Sequence, residues 1–166
     1  MIIVERDSFL WSYLQPELQE LINDGELLLT AVKNDLDATK IADFSFLVFP
    51  FSKAYEGFLK KLFLDVGMIH YDDYYGDEIR IGRLLNPHYQ HEVGNVFAKL
   101  CNHSSAGTHL STRLWDVWKN GRNLIFHYFP HNFKRLTFDE ALAVIKDVVD
   151  AMQTAVVGCD LEKKKP

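Results

Sequence analysis

Arg122 and His127 are the two residues of this sequence whose types and spacing are best suited to chemistry. A neutral imidazole near pH 7 can accept the proton of an RNA 2′-hydroxyl, and an imidazolium can protonate the leaving 5′-oxygen. A guanidinium carries a permanent charge and a planar fork of donors for the oxygens of the reacting phosphorus. The pair therefore indicates RNA cleavage by the 2′-hydroxyl, with His127 as general acid/base and Arg122 as phosphate clamp, and this chemistry requires no metal and no cofactor.

The segment that joins these two residues is expected to be helical. An ideal α-helix would place Arg122 and His127 about 140° apart around its axis, an angle that the long arginine stem can bridge. Asn123 and Phe126 would share the same face, and Asn123 would be an i,i+4 neighbour of His127. Asn123 is therefore a third candidate for the site, as a residue that orients the imidazole or binds the phosphate; its alternative is a solvated surface side chain.

The spacing alone is a weak signal. With 6 Arg and 7 His in 166 residues, a chance pair at this separation is expected roughly 0.25 times. The same spacing occurs at Arg83 and His88, but Pro87 breaks any helix that would set those two side chains on one face. Structural context, and not spacing, must distinguish the two stretches.

Helices are predicted to position these residues, because apolar residues recur at helical spacing and strand signals are scarce. The fold class is therefore predicted as all-α. In the N-terminal half, Asp7 is expected to cap the first helix, and Pro16 to open a second helix that Gly25 weakens. Ser52 is expected to cap a later helix that Gly67 ends. The predicted helices of this half cover residues 7–14, 17–28, 37–47 and 52–67.

The C-terminal half contains the clearest helix signal of the sequence. Thr137 and Glu140 form a capping-box pattern in front of a long apolar stripe. Asn120 and Gly121 indicate either a helix C-cap or a kink. The remaining predicted elements are a connection over residues 70–86 with at most one short helix, and helices over residues 94–100, 110–118 and 137–156.

Three segments are predicted along the chain. Residues 1–35 are expected to form an N-terminal helical hairpin packed on the rest, or the remnant of a linker from a larger protein. Residues 36–160 are expected to form one helical bundle, because their length suits a single core. Residues 161–166 are expected to be a flexible tail.

Composition and charge limit the functions that the sequence can have. The net charge of −5 argues against a protein that coats nucleic acid through bulk charge, although a nuclease needs only a small basic site. His103 and His109 lack an accompanying carboxylate or cysteine at ligand spacing, so no metal site is predicted. The sequence has no signal peptide and no apolar stretch of membrane-spanning length, which predicts a cytoplasmic protein without membrane contact.

The stretch from Arg122 to His127, near the end of an all-α domain, resembles the R-x4–6-H motif of HEPN ribonucleases. Within that superfamily the sequence is most similar to the C-terminal domain of RnlA/LsoA-type toxins (RNase LS). That family's E-G-x-L-K element resembles the stretch from Glu56 to Lys60, and its Arg…Phe-His element resembles Arg122 with Phe126 and His127. The similarity covers roughly residues 49 to 129.

The resemblance implies a HEPN-like four-helix bundle with extra N-terminal helices, and a catalytic group of Glu56, Arg122 and His127. It also implies an endoribonuclease toxin of a toxin–antitoxin or phage-defence system, a homodimer with its active site at the dimer cleft, and inhibition by a protein antitoxin. For Glu56 the alternative is an i,i+4 ion pair with Lys60. The longer family members carry N-terminal domains without a counterpart in this sequence.

Candidate RNA contacts surround this group: Lys53, Lys60, Lys119 and Phe126. Their alternative is ordinary, since lysines on helix exteriors are usually only solvated and aromatic residues more often belong to a core or a dimer contact. A second function is therefore also open. The chain can be a non-catalytic HEPN-like module that docks a protein partner or a second copy, and its net acidity favours that alternative slightly.

Overall fold

The computed structural model describes residues 1–35, 40–103, 108–128, 130 and 134–161, and its regular structure over these residues is entirely helical. The all-α prediction is confirmed. The α-helices are α1 Phe9–Tyr13, α2 Pro16–Asp35, α3 Phe49–Asp65, α4 Tyr71–Tyr75, α5 Ile81–Leu84, α6 Phe97–His103, α7 Thr108–Trp118, α8 Leu124–Phe126 and α9 Phe138–Gly158. Short 3-10 turns cover Ser45–Leu47 and Pro87–Tyr89, and a π-helical turn covers Lys119–Asn123.

Helix α3 lies at the centre of the core. Its fully buried face follows helical spacing through Phe51, Tyr55, Phe58 and Leu62. It packs against α2 and α9, and α7 packs on α9 as well. Within the described residues, no helix is both long enough and apolar enough to cross a bilayer.

Two glycines allow α2 and α3 to approach closely. A Cβ on Gly25 would lie 2.4 Å from Cε2 of Phe51, and a Cβ on Gly57 would lie 2.5 Å from Cδ2 of Leu18. Helix α2 continues through Gly25 to Asp35, well beyond the predicted end, because this tight packing stabilises it. The N-terminal segment therefore packs directly on the helix that carries Glu56.

Several predicted helix starts are wrong for identifiable reasons. Ser8, and not Asp7, caps α1, since its side chain accepts from the Trp11 N–H at 3.1 Å. Helix α3 begins at Phe49, three residues before the predicted cap Ser52, because a proline fits the first turn of a helix. The prediction that Gly67 terminates this helix is confirmed. The last helical residue is Asp65, and Gly67, two residues later, has the positive φ of +73° that is typical of a helix end.

The predicted helix over residues 37–47 is reduced to the turn Ser45–Leu47 in its described part, residues 40–47. The Oδ1 atom of Asp43 accepts from the backbone N–H groups of Ser45 and Leu136, at 3.0 Å each. This aspartate therefore joins the turn to the segment before α9 instead of continuing a helix. Residues 37–39 of the prediction lie outside the described residues.

The connection over residues 70–86 contains two short helices, α4 and α5, where at most one was predicted. Helix α6 begins at Phe97, later than predicted, and residues 104–107 and 162–166 lie outside the described part. The capping box of α9 is confirmed, because Thr137 Oγ1 accepts from Glu140 N–H and the Glu140 carboxylate accepts from Thr137 N–H.

A π-helical turn joins α7 to α8, so Asn120 and Gly121 mark a distortion within a helix and not its C-cap. Gly121 is buried, and a Cβ there would lie 3.0 Å from Cγ2 of Val148 on α9. The Ser52 hydroxyl donates to the Gly121 carbonyl at 2.6 Å. The turn is therefore held between α3 and α9. Such π-helical turns occur frequently at functional sites.

Candidate active site

Arg122 is held by side chains from two other elements. Its Nη2 atom lies 2.7 Å from Oε2 of Glu56 on α3. The centre of its guanidinium lies 4.7 Å from the ring centroid of Trp118, at the end of α7. A carboxylate on one side and an aromatic face on the other restrict the guanidinium to a narrow range of positions.

Glu56, Arg122 and His127 line one cavity of about 270 Å³. Glu56 lies on α3, Arg122 lies in the π-helical turn before α8, and His127 directly follows α8. The structure thus brings together the three residues to which the resemblance gives a catalytic role. Four further residues complete the wall: Phe49, Ser52, Lys53 and Phe126.

His127 does not lie on a helix face. It follows the last residue of α8 and has extended backbone angles, with φ −100° and ψ 132°. The ideal helix assumed from the sequence is therefore wrong for this segment, which combines a π-helical turn, three α-helical residues and an extended residue. Arg122 and His127 nevertheless meet at one cavity, because the break after α8 redirects the chain.

Asn123 and His127 line different cavities. Asn123 lines a neighbouring cavity of about 300 Å³ that also contains Trp115 and Asn86, whereas His127 does not line that cavity. Glu56 and Arg122 line both cavities and form the boundary between them. Of the two roles expected for Asn123, orienting the imidazole or binding the phosphate, the cavity linings bear only on which cavity it faces.

The four candidate RNA-contacting residues divide into two pairs. Lys53 and Phe126 line the cavity of His127, and the Phe126 ring makes an edge contact with Phe49 at 5.8 Å between centroids. Lys60 is half-buried on α3 and Lys119 is exposed on the π-helical turn, and neither lines this cavity. The ion pair of Glu56 is with Arg122 of another element, and not with Lys60 one turn further along α3.

The charges of the cavity suit a single phosphate group. Two cations, Arg122 and Lys53, face one carboxylate, Glu56. An arginine has five N–H donors, so an ion pair at Nη2 leaves donors for phosphate oxygens. The side chain of Arg122 is 38% exposed and that of Glu56 is 27% exposed, so a ligand can reach both.

Sequence reasoning missed two residues that build this site. Ser52 holds the π-helical turn, and Trp118 supports the guanidinium. Ser52 could have been found from helical spacing, because Phe49, Lys53 and Glu56 lie on the same face of α3 and also line the cavity. No comparable signal in the sequence joins Trp118 to Arg122.

Among the described residues, no three His, Cys, Asp or Glu side chains are grouped as metal ligands would be. Comparison with known proteins adds no assignment, because no protein-family model, no curated protein and no solved structure matches this chain. Its function is therefore inferred from the residues and geometry of the cavity.

Proposed function

We propose that this protein is a metal-independent endoribonuclease of the HEPN type, with a HEPN-like helical bundle as its scaffold. The observation that carries the proposal is the meeting of Arg122, His127 and Glu56 at one accessible cavity, although Glu56 lies on a separate helix. A base, a phosphate-binding cation and a residue that positions this cation are the parts that such cleavage needs.

In the proposed reaction the 2′-oxygen attacks the adjacent phosphorus as its proton passes to a general base. The bond from phosphorus to the 5′-oxygen breaks, and a general acid protonates that oxygen. The products are a 2′,3′-cyclic phosphate and a 5′-hydroxyl end. His127 supplies acid/base chemistry, Arg122 binds the non-bridging oxygens, and Glu56 holds Arg122 in place through their ion pair.

The biological setting that fits this activity is a cytoplasmic toxin of a toxin–antitoxin or phage-defence system. An enzyme that cuts cellular RNA must be restrained, so a protein antitoxin is the proposed partner. The proposed active assembly is a homodimer that places two such cavities along one cleft. The small local group of cations reconciles RNA binding with a net charge of −5.

RNA cleavage in EDTA tests the chemistry directly. The purified protein is incubated with a single-stranded RNA with EDTA present, and the product ends are identified by mass spectrometry. We expect 2′,3′-cyclic phosphate ends from the native protein and none from His127→Ala. Loss of cleavage on chelation, or full activity of His127→Ala, would refute the proposal.

A non-catalytic docking module remains the second candidate, and one observation favours it. Two large aromatic side chains are exposed in this region: Phe49, which lines the cavity, is 55% exposed, and Tyr128, which follows His127 in the chain, is 71% exposed. Such residues are common in protein interfaces. Expression in growing cells separates the two functions, because a nuclease is toxic only with Arg122 and His127 intact, whereas a docking module is indifferent to their replacement by alanine.

A further inference from the structure

The second cavity, beyond the ion pair of Glu56 and Arg122, is large enough for a small ligand. Its volume of about 300 Å³ is at the lower end of the range for ligand pockets. Because Glu56 and Arg122 also line the first cavity, a ligand bound at the guanidinium can extend into both. Four other residues of the second cavity enter the argument: Arg80, Asn86, Trp115 and Asn123.

Two tryptophans of α7 line this cavity, and only Trp115 has a ring face that a ligand can reach. A Cβ on Gly82 of α5 would lie 2.9 Å from Nε1 of Trp118, so the glycine lets α5 close over that indole. Trp118 is only 5% exposed and already contacts Arg122. Trp115, one turn earlier on α7, packs on the core but is only partly buried and lines the cavity. It can therefore stack on a planar ligand.

The polar groups of the cavity suit the edge of a nucleobase and a phosphate. Asn86 Oδ1 accepts from the His88 N–H at 2.9 Å, which leaves the amide donors of Asn86 for a ligand. Asn123 offers a second amide, and amides bind the donors and acceptors of base edges. Arg80 lines this cavity and not that of His127; its Nη1 donates to the Asp77 carbonyl, and its other N–H groups remain as donors for a neighbouring phosphate of the same strand.

We propose that the second cavity binds the base of a nucleotide next to the cleaved phosphate in single-stranded RNA, stacked on Trp115 and contacted by Asn86 and Asn123. This inference rests on the proposed function, because it takes the phosphate bound by Arg122 as the one that is cleaved. Single-stranded RNA is the class that fits, since a base must leave a helical stack to reach an aromatic side chain.

Binding of a fluorescently labelled single-stranded RNA of about ten nucleotides tests this subsite. The background is His127→Ala, which removes the proposed cleavage, and fluorescence anisotropy gives Kd. We expect Trp115→Ala to raise Kd roughly ten- to a hundredfold and Trp115→Phe to restore most of the affinity. Arg83→Ala is the matched charge control for Arg80→Ala, because both lie at α5 but only Arg80 lines the second cavity.

A series of RNAs with one abasic nucleotide each tests the same point without changing Trp115. One position beside the cleavage site is expected to weaken binding as much as Trp115→Ala does, with no further loss when both changes are combined. If every abasic RNA binds as tightly as the unmodified RNA, or if Trp115→Ala leaves Kd unchanged, the subsite is overturned. The proposal that the protein cleaves RNA is not affected by either result. If the native protein cleaves no RNA but shows the coupled loss, the proposed function fails, the subsite beside a cleaved phosphate falls with it, and the cavity is left as a base-binding site of an RNA-binding protein.

Discussion

Two stretches of this protein carry an arginine followed five positions later by a histidine, and their surroundings differ strongly. Arg83 of α5 pairs with Glu92, nine residues along the chain, at 3.0 Å. The Arg83 side chain is 72% exposed, so this pair adds little to stability. His88 lies in the turn Pro87–Tyr89, after the chain has left α5, and its ring makes an edge contact with that of Tyr89, the next residue, at 5.1 Å between centroids.

Arg122 and His127 instead lie at a cavity built from distant parts of the chain. The partner of Arg122 is Glu56, 66 positions earlier, and Trp118 covers one face of its guanidinium. The comparison teaches that an arginine and a histidine at a given spacing acquire a shared environment only when other helices hold the segment that joins them. Here α3 and α9 hold the π-helical turn. In the other stretch, Pro87 begins a separate 3-10 turn that contains His88.

The largest expected effect separates these two stretches by activity. Arg122→Ala and His127→Ala are expected to lower the rate of RNA cleavage by roughly 10²- to 10⁴-fold, the usual contribution of acid–base and electrostatic groups. Arg83→Ala and His88→Ala make the same chemical changes outside the cavity and are expected to leave the rate unchanged. Initial rates on one labelled RNA, with circular dichroism as a folding control, decide the matter. If the cleavage rate falls equally in both pairs of variants, the cavity of Arg122 and His127 is not the site of cleavage.

A smaller effect is expected from the acidic partners of the two arginines. Glu56→Gln weakens the ion pair that positions Arg122, and a misplaced guanidinium can reduce kcat/KM by up to about a hundredfold. Glu92→Gln acts on the exposed pair with Arg83 and is expected to leave kcat/KM unchanged.

The pH profile of the Glu56→Gln variant sharpens this prediction. Above about pH 6, where ordinary carboxyl groups are ionised, the profile is expected to keep its shape and fall uniformly if Glu56 only positions Arg122. A change of its shape in that range would instead show that Glu56 itself exchanges protons in the reaction.

The smallest effect concerns the hydrogen bond that holds the π-helical turn. Ser52→Ala leaves the buried Gly121 carbonyl without its hydroxyl donor and is expected to reduce the free energy of unfolding by about 1–3 kcal/mol. Ser12→Ala is the control, because Ser12 also donates to a backbone carbonyl but is exposed, and its cost is expected within about 0.5 kcal/mol. Urea denaturation measures both variants. Equal costs would mean that Ser52 does not hold the turn.

Features of the fold that depend on near neighbours were predictable. The capping box of Thr137 and Glu140 and the end of α3 at Gly67 follow from interactions within a few residues. The helix predicted over residues 37–47 failed because Asp43 bonds to Leu136, 93 positions away. Ser52 was expected to cap a helix, but its hydroxyl bonds to Gly121, 69 positions away.

For the candidate site, the sequence by itself determined which side chains have the chemistry for RNA cleavage, since the proton affinity of an imidazole and the charge of a guanidinium belong to the residues. Their environment was decided only by the tertiary structure. It pairs Arg122 with Glu56, sets His127 beyond the end of α8 and places Asn123 in the lining of a second, neighbouring cavity. The physical reason is that a cavity is formed by the packing of several helices, whereas spacing along one segment describes only that segment.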